Sequence, residues 1–179
     1  MVYIILGAGF EESEAIVPCD LLRRAGVEVH FAGIGGREIT GGHGITVRTD
    51  CVADKAVLAE AEMLVLPGGL GGVRSICAAP AVLEAVKTVY ARGGYVAAIC
   101  AAPTVLAKLG LTDGKAATCY PGMENEMTDA RMTGAPAVRD GRVITGKAAG
   151  TAFDFGLLLV ETLCGAEAAQ KVKAAVVYR

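Results

Sequence analysis

A thiol at the end of an apolar strand is the most chemically suggestive feature of this chain. In Tyr95-Val96-Ala97-Ala98-Ile99-Cys100-Ala101-Ala102-Pro103, the apolar run introduced by Arg92-Gly93-Gly94 reads as a strand. Pro103 and the following Thr104-Val105-Leu106-Ala107-Lys108-Leu109 read as the opening of a helix. The small residues around Cys100 allow a sharp turn of the nucleophile-elbow kind. Sulfur at such a junction sits above the carboxyl edge of a sheet, near unpaired N–H groups that favour thiolate over thiol. The competing reading is a buried core cysteine, which packs as a small hydrophobe.

Two further strand ends carry groups that could serve a thiol. Val2 to Leu6 is a continuous apolar run that ends in Gly7-Ala8-Gly9-Phe10 and opens a helix rich in Glu11, Glu12 and Glu14. Carboxylates there complement the helix dipole, Ser13 is a candidate cap, and Val17, Leu21, Leu22 and Ala25 mark the apolar face. A carboxyl group beside a thiolate in a poorly solvated pocket keeps its proton, because two adjacent anions are costly. Glu14 is the candidate for that role; Glu11 and Glu12 read as solvated first-turn carboxylates. After Met63 to Leu66, the loop Pro67-Gly68-Gly69-Leu70-Gly71-Gly72 could bring a backbone N–H to a neighbouring oxyanion.

The positioning elements follow from alternation along the chain. Val27 to Gly33 reads as a second strand, and glycine pairs at 35–36 and 41–42 bracket an antiparallel excursion through Ile39 and Ile45-Thr46-Val47. Helices are expected over 55–61, 80–92 and 151–163 and from Ala166 onward, with a hairpin turning at Asp140-Gly141. Strand and helix alternate, which gives one α/β domain over residues 1–179 with a mainly parallel sheet and a site at the strands' carboxyl ends.

With 53% hydrophobic and 20% charged residues in 179, the chain can bury a sizeable core, and a formal charge of −2 without charge runs gives no footprint for nucleic acid or a membrane surface. Met1 to Leu6 reads as a strand rather than a leader. Gly7 and Gly9 lack the third glycine of a dinucleotide loop, because position 12 is Glu, and the later glycine loop lacks the Lys-Ser/Thr of a nucleotide loop. No cofactor is expected. The six cysteines are scattered, which supports neither a CxxC redox pair nor a metal knuckle and fits a reduced, cytoplasmic protein.

Nearly end to end, the chain resembles the ThiJ/PfpI superfamily, in particular its DJ-one branch. The resemblance is carried in order by Gly9-Phe10-Glu11-Glu12-Ser13-Glu14-Ala15, Pro18-Cys19-Asp20, Arg23-Arg24-Ala25-Gly26, Leu66-Pro67-Gly68-Gly69, Ala97-Ala98-Ile99-Cys100-Ala101-Ala102-Pro103 and Gly150-Thr151-Ala152-Phe153-Asp154-Phe155. It implies a flavodoxin-like three-layer sandwich, usually homodimeric. It further implies Cys100 as nucleophile, Glu14 as its protonated partner, and the N–H groups of Gly69 and Ala101 as oxyanion donors. Members of this branch act on methylglyoxal, glyoxal or their adducts as glyoxalases or deglycases, or sense oxidants through a cysteine sulfinate. Relatives that act as peptidases carry histidine directly after the nucleophile; Ala101 stands there in this chain, so proteolysis is not supported. Tyr120 occupies a loop position where some relatives place histidine and is an accessory candidate, as is His43 in its glycine-rich loop; His30 reads as structural. Two functions stay open on the same cysteine: an enzyme acting on a small reactive carbonyl, and a non-catalytic oxidative-stress sensor or chaperone.

Overall fold

Residues 1–179 are described by a computed structural model. The chain opens with β1 (Val2–Leu6), α1 (Glu12–Arg24) and β2 (Val29–Gly33), followed by the excursion β3 (Glu38–Thr40) and β4 (Thr46–Arg48), then β5 (Cys51–Val52) and α2 (Lys55–Ala59). The middle comprises β6 (Met63–Leu66), α3 (Leu70–Cys77), α4 (Pro80–Ala91), β7 (Tyr95–Ile99) and α5 (Pro103–Lys108). After β8 (Ala116–Ala117) and β9 (Arg131–Met132), the chain ends with β10 (Ala137–Asp140), β11 (Val143–Gly146), α6 (Ala152–Cys164) and α7 (Ala166–Ala175).

The main sheet has the order β10-β11-β7-β6-β1-β2-β5, parallel except for the edge strand β10. All five residues of β1 are buried, as a central strand covered on both faces requires. Alternation sorts them between two cores: Val2, Ile4 and Leu6 pack with Leu21, Phe155 and Leu159 from α1 and α6. Tyr3 and Ile5 belong to the opposite core, with Ile76, Val82, Val86 and Val89 from α3 and α4. This is the expected flavodoxin-like sandwich. From β1 the chain winds outward through β2 to β5, then returns to β6 on the other side of β1. That reversal opens a crevice at the carboxyl ends of β1 and β6, where ligands of doubly wound sheets bind.

Three expectations change. Glu11, not Ser13, is the N-cap of α1; the Ser13 hydroxyl sits inside the helix and donates to Glu11 Oε1 at 3.2 Å. The segment read as a glycine loop holds only three loop residues, because α3 begins at Leu70 and contains Gly71 and Gly72. Glu12 is buried rather than solvated. No helix is long and apolar enough to cross a membrane.

Candidate active site

Cys100 follows β7 in the left-handed backbone region, with φ of 67°. A side chain there costs about 1–2 kcal/mol, and flanking bonds hold it in place. Its N–H donates to Gly146 O at 2.9 Å, and its carbonyl accepts from Tyr120 N at 2.8 Å. The strand register brings the end of β6 alongside, with Leu66 opposite Ala98. Gly68 then lies between the thiol and the first turn of α1. A Cβ added to Gly68 would stand 2.5 Å from Glu14 Oε2 and 2.7 Å from Cys100 Cβ, so the two functional side chains meet only because this residue has none.

Glu14 has no solvent exposure. Its Oε2 accepts from Gly68 N at 2.9 Å, while Oε1 is buried without a hydrogen-bonding partner. Burial pushes this carboxyl up to about 7; hydrogen bonds from Cys100 and the Gly68 N–H act against that rise, and the nearby Glu11 charge adds to it. At Cys100, burial, the Glu14 charge and the Glu14 hydrogen bond push the thiol up to about 12. The backbone N–H groups of Ala101 and Gly69 pull it down without offsetting that rise. Helix-end donors therefore do not by themselves yield a thiolate, contrary to the reading from Cys100's position alone. The pair titrates as a unit. Below about 7 it holds two protons, and above about 7 it carries one proton and one negative charge.

A pocket of about 470 Å³ opens over the sulfur, lined by Glu11, Gly69, Leu70, Cys100, Ala101 and the loop Tyr120-Pro121-Gly122-Met123. Gly69, with φ of 79°, caps the N-terminus of α3. Cys100, Glu14, Gly69, Ala101 and Tyr120 thus come together. His43 does not join them. Its Nδ1 lies 2.9 Å from Glu12 Oε2, and its backbone N–H donates to Glu12 Oε1 at 2.8 Å, in a neighbouring hollow formed with Ile16, Val17 and Ile45. Burial raises Glu12, but the His43 hydrogen bond and the N–H groups of His43 and Ile45 more than offset it, leaving the carboxyl below its ordinary value. His43 is raised in turn by Glu12 and Glu11. Its one ring nitrogen at the two carboxylates makes a possible cation cluster, but Glu12 already spends its oxygens on hydrogen bonds to the 43–45 turn. His30 is structural, bonded to Glu28 at 3.0 Å and packed on Tyr3. Residues 121–123 join the pocket wall through the bond from Tyr120 N to Cys100 O, and Glu11 through the bond from its N–H to Gly68 O; neither long-range contact has a local sequence signal.

The family model described as DJ-1/PfpI matches residues 1–162. The chain belongs to the DJ-1/PfpI family. The Parkinson disease protein 7 homolog of Danio rerio is 37% identical over 181 residues, covering 98% of this chain and 96% of that protein. A Caenorhabditis elegans relative, named glutathione-independent glyoxalase DJR-1.2, is 35% identical over 159 residues, covering 88% of this chain and 84% of that protein. The crystal structure of Drosophila melanogaster DJ-1beta matches with a TM-score of 0.93 and 36% identity, covering 99% of this chain and 97% of that one.

Proposed function

We propose that this protein is a cofactor-independent glyoxalase, with deglycase action on the corresponding adducts, working through Cys100 and Glu14. The observation that carries the reading is the Gly68 junction, where a fully buried carboxyl group and an elbow cysteine flank a residue with no side chain. The name of the Caenorhabditis elegans relative supports the same activity.

In the reactive form, the pair's single negative charge is on sulfur and its proton is on Glu14. Sulfur attacks the aldehyde carbon of methylglyoxal, forming an S–C bond. The carbonyl oxygen, met by the N–H groups of Gly69 and Ala101, takes the Glu14 proton to give a hemithioacetal. Glu14, now a carboxylate, takes the C–H proton and delivers it to the adjacent carbon while the hydroxyl proton moves to the adjacent oxygen, leaving a thioester. Water cleaves the S–C bond, releasing lactate and restoring the thiol. The aldehyde carbon is oxidised and its neighbour reduced, so no external redox partner is needed. Tyr120 at the pocket wall serves as a hydrogen-bond donor to the bound carbonyl.

The test is lactate release from methylglyoxal by purified protein without glutathione or added metal, beside Cys100→Ser and Glu14→Gln. Each variant is expected to lose roughly 10²–10⁴-fold in rate; activity that survives Cys100→Ser refutes the assignment. A second reading, an oxidant sensor, is favoured by the unpartnered Glu14 Oε1. A protonated Glu14 could hold a sulfinate oxygen after two equivalents of peroxide have oxidised Cys100 with loss of two waters. Oxidation of Cys100 to sulfinate by a protein with no turnover selects that reading. A homodimer is the assembly that family membership supports, checked by light scattering.

A further inference from the structure

Glu11 stands where charge can select what reaches the sulfur. Its backbone N–H donates to Gly68 O at 3.0 Å, which fixes it beside the junction. Its Oε1 accepts from Ser13, and its Oε2 lies 3.4 Å from His43 Nδ1, with the side chain 21% exposed. It borders both the cysteine pocket and the hollow around His43. Among the residues lining the cysteine pocket, it is the sole carboxylate, and no Lys, Arg or His accompanies it. The cation that pairs with it, His43, lies outside the pocket and is shared with Glu12 at 2.9 Å.

We propose that Glu11 is a specificity-determining residue that rejects anionic carbonyl compounds, so that the pocket takes neutral dicarbonyls such as glyoxal in preference to α-oxo acids such as glyoxylate. To place its aldehyde carbon at Cys100, glyoxylate must bring a carboxylate into a pocket already holding Glu11 and the charge shared by Cys100 and Glu14. No side chain in the wall compensates. At an effective dielectric near 20, one such repulsion across the pocket is worth about tenfold in rate. The substrate classes rest on the glyoxalase reading, but charge selection at the sulfur can be measured without turnover.

The experiment compares alkylation of Cys100 by iodoacetamide, which is neutral, and iodoacetate, which is anionic, read by peptide mass. In both reactions sulfur forms an S–C bond as iodide leaves, so changes in thiol reactivity cancel in the rate ratio. The ratio of iodoacetamide to iodoacetate is expected to fall about tenfold in Glu11→Gln, to stay near the parent value in Glu11→Asp, and to shrink with added salt in the parent alone. Gln is a fair replacement because the Glu11 side chain makes no capping bond to α1. An unchanged ratio in Glu11→Gln overturns the proposal. Turnover of glyoxal and glyoxylate is measured in parallel. A changed alkylation ratio with no turnover of either compound overturns the glyoxalase reading and leaves charge selection standing. Turnover of glyoxal with an unchanged ratio overturns charge selection alone.

Discussion

Glu14 should make the folded protein lose stability as pH rises from mildly acidic to neutral. Its carboxyl is raised from 4.5 to about 7 in the folded state, while in the unfolded chain it ionises near its ordinary value. Between those values the native state binds the proton and the unfolded state does not, so the stability it contributes is complete below 4.5 and is lost as pH climbs through 7. One pKa unit corresponds to about 1.4 kcal/mol, which puts the loss at about 3 kcal/mol. Full burial of Glu14 means solvent screening does not reduce that figure. Glu14→Gln removes the titration, so the informative quantity is the stability difference between parent and variant, in which other ionisable groups cancel. Urea denaturation of both proteins from pH 4.5 to 8 is expected to show the parent falling by about 3 kcal/mol relative to Glu14→Gln, or about 6–12 °C in midpoint temperature for a chain of this size. Coupling to Cys100 does not alter the sign, because linkage counts protons on the pair rather than on either member. Parallel curves would refute the reasoning, by showing that Glu14 ionises in the native protein as it does in water.

Gly68→Ala places a methyl group 2.5 Å from Glu14 Oε2 and 2.7 Å from Cys100 Cβ; a loss of about 1–3 kcal/mol in urea denaturation is expected, with reactivity of Cys100 toward iodoacetamide altered because the carboxyl and thiol are forced apart. Cys100→Gly is expected to be more stable than Cys100→Ala by about 1 kcal/mol, since only glycine is relaxed at φ of 67°; equal midpoints would remove the strain from the account. Glu12→Ala strips the acceptor from the N–H groups of His43 and Ile45 and should speed hydrogen exchange at those two amides by about fivefold, the equivalent of about 1 kcal/mol for a lost hydrogen bond, while β1 amides remain protected.

The sheet and the elbow were legible because their signals are local. Met63-Leu64-Val65-Leu66 and Tyr95-Val96-Ala97-Ala98-Ile99 are apolar runs bounded by glycines, and both form strands close to the expected limits. The start of α3 was not legible, because Gly71 and Gly72 look like loop residues. Their glycine content answers a different demand. A Cβ at Gly71 would lie 2.8 Å from Gly9 Cα, and one at Gly72 2.8 Å from Phe10 Cα, so the helix must be bare where it rests against the loop after β1. Glu12 was read as solvated for a similar reason: its partners His43 and Ile45 lie more than thirty positions away, and nothing in the first turn of a helix announces a pairing at that separation. The Cys100 and Glu14 pairing was legible as two chemical groups at neighbouring strand ends and in the family resemblance, whereas Gly68, the residue that permits it, contributes no side-chain chemistry to announce its part.

The ladder that holds Cys100 also sets where this chain can change length. Ile99 is paired with Gly146 across β7 and β11, and the next N–H, that of Cys100, donates to the same Gly146 carbonyl. One residue inserted between Tyr95 and Ile99 would turn the thiol to the opposite face of the sheet and put each apolar side chain beyond it into the wrong core. By contrast, the exposed segment around Gly134, between β9 and β10, can grow without shifting any strand of the main sheet. Fusions, tags and inserted loops therefore have room at one end of this half of the protein, while the five residues leading to the nucleophile admit substitution but no change in number.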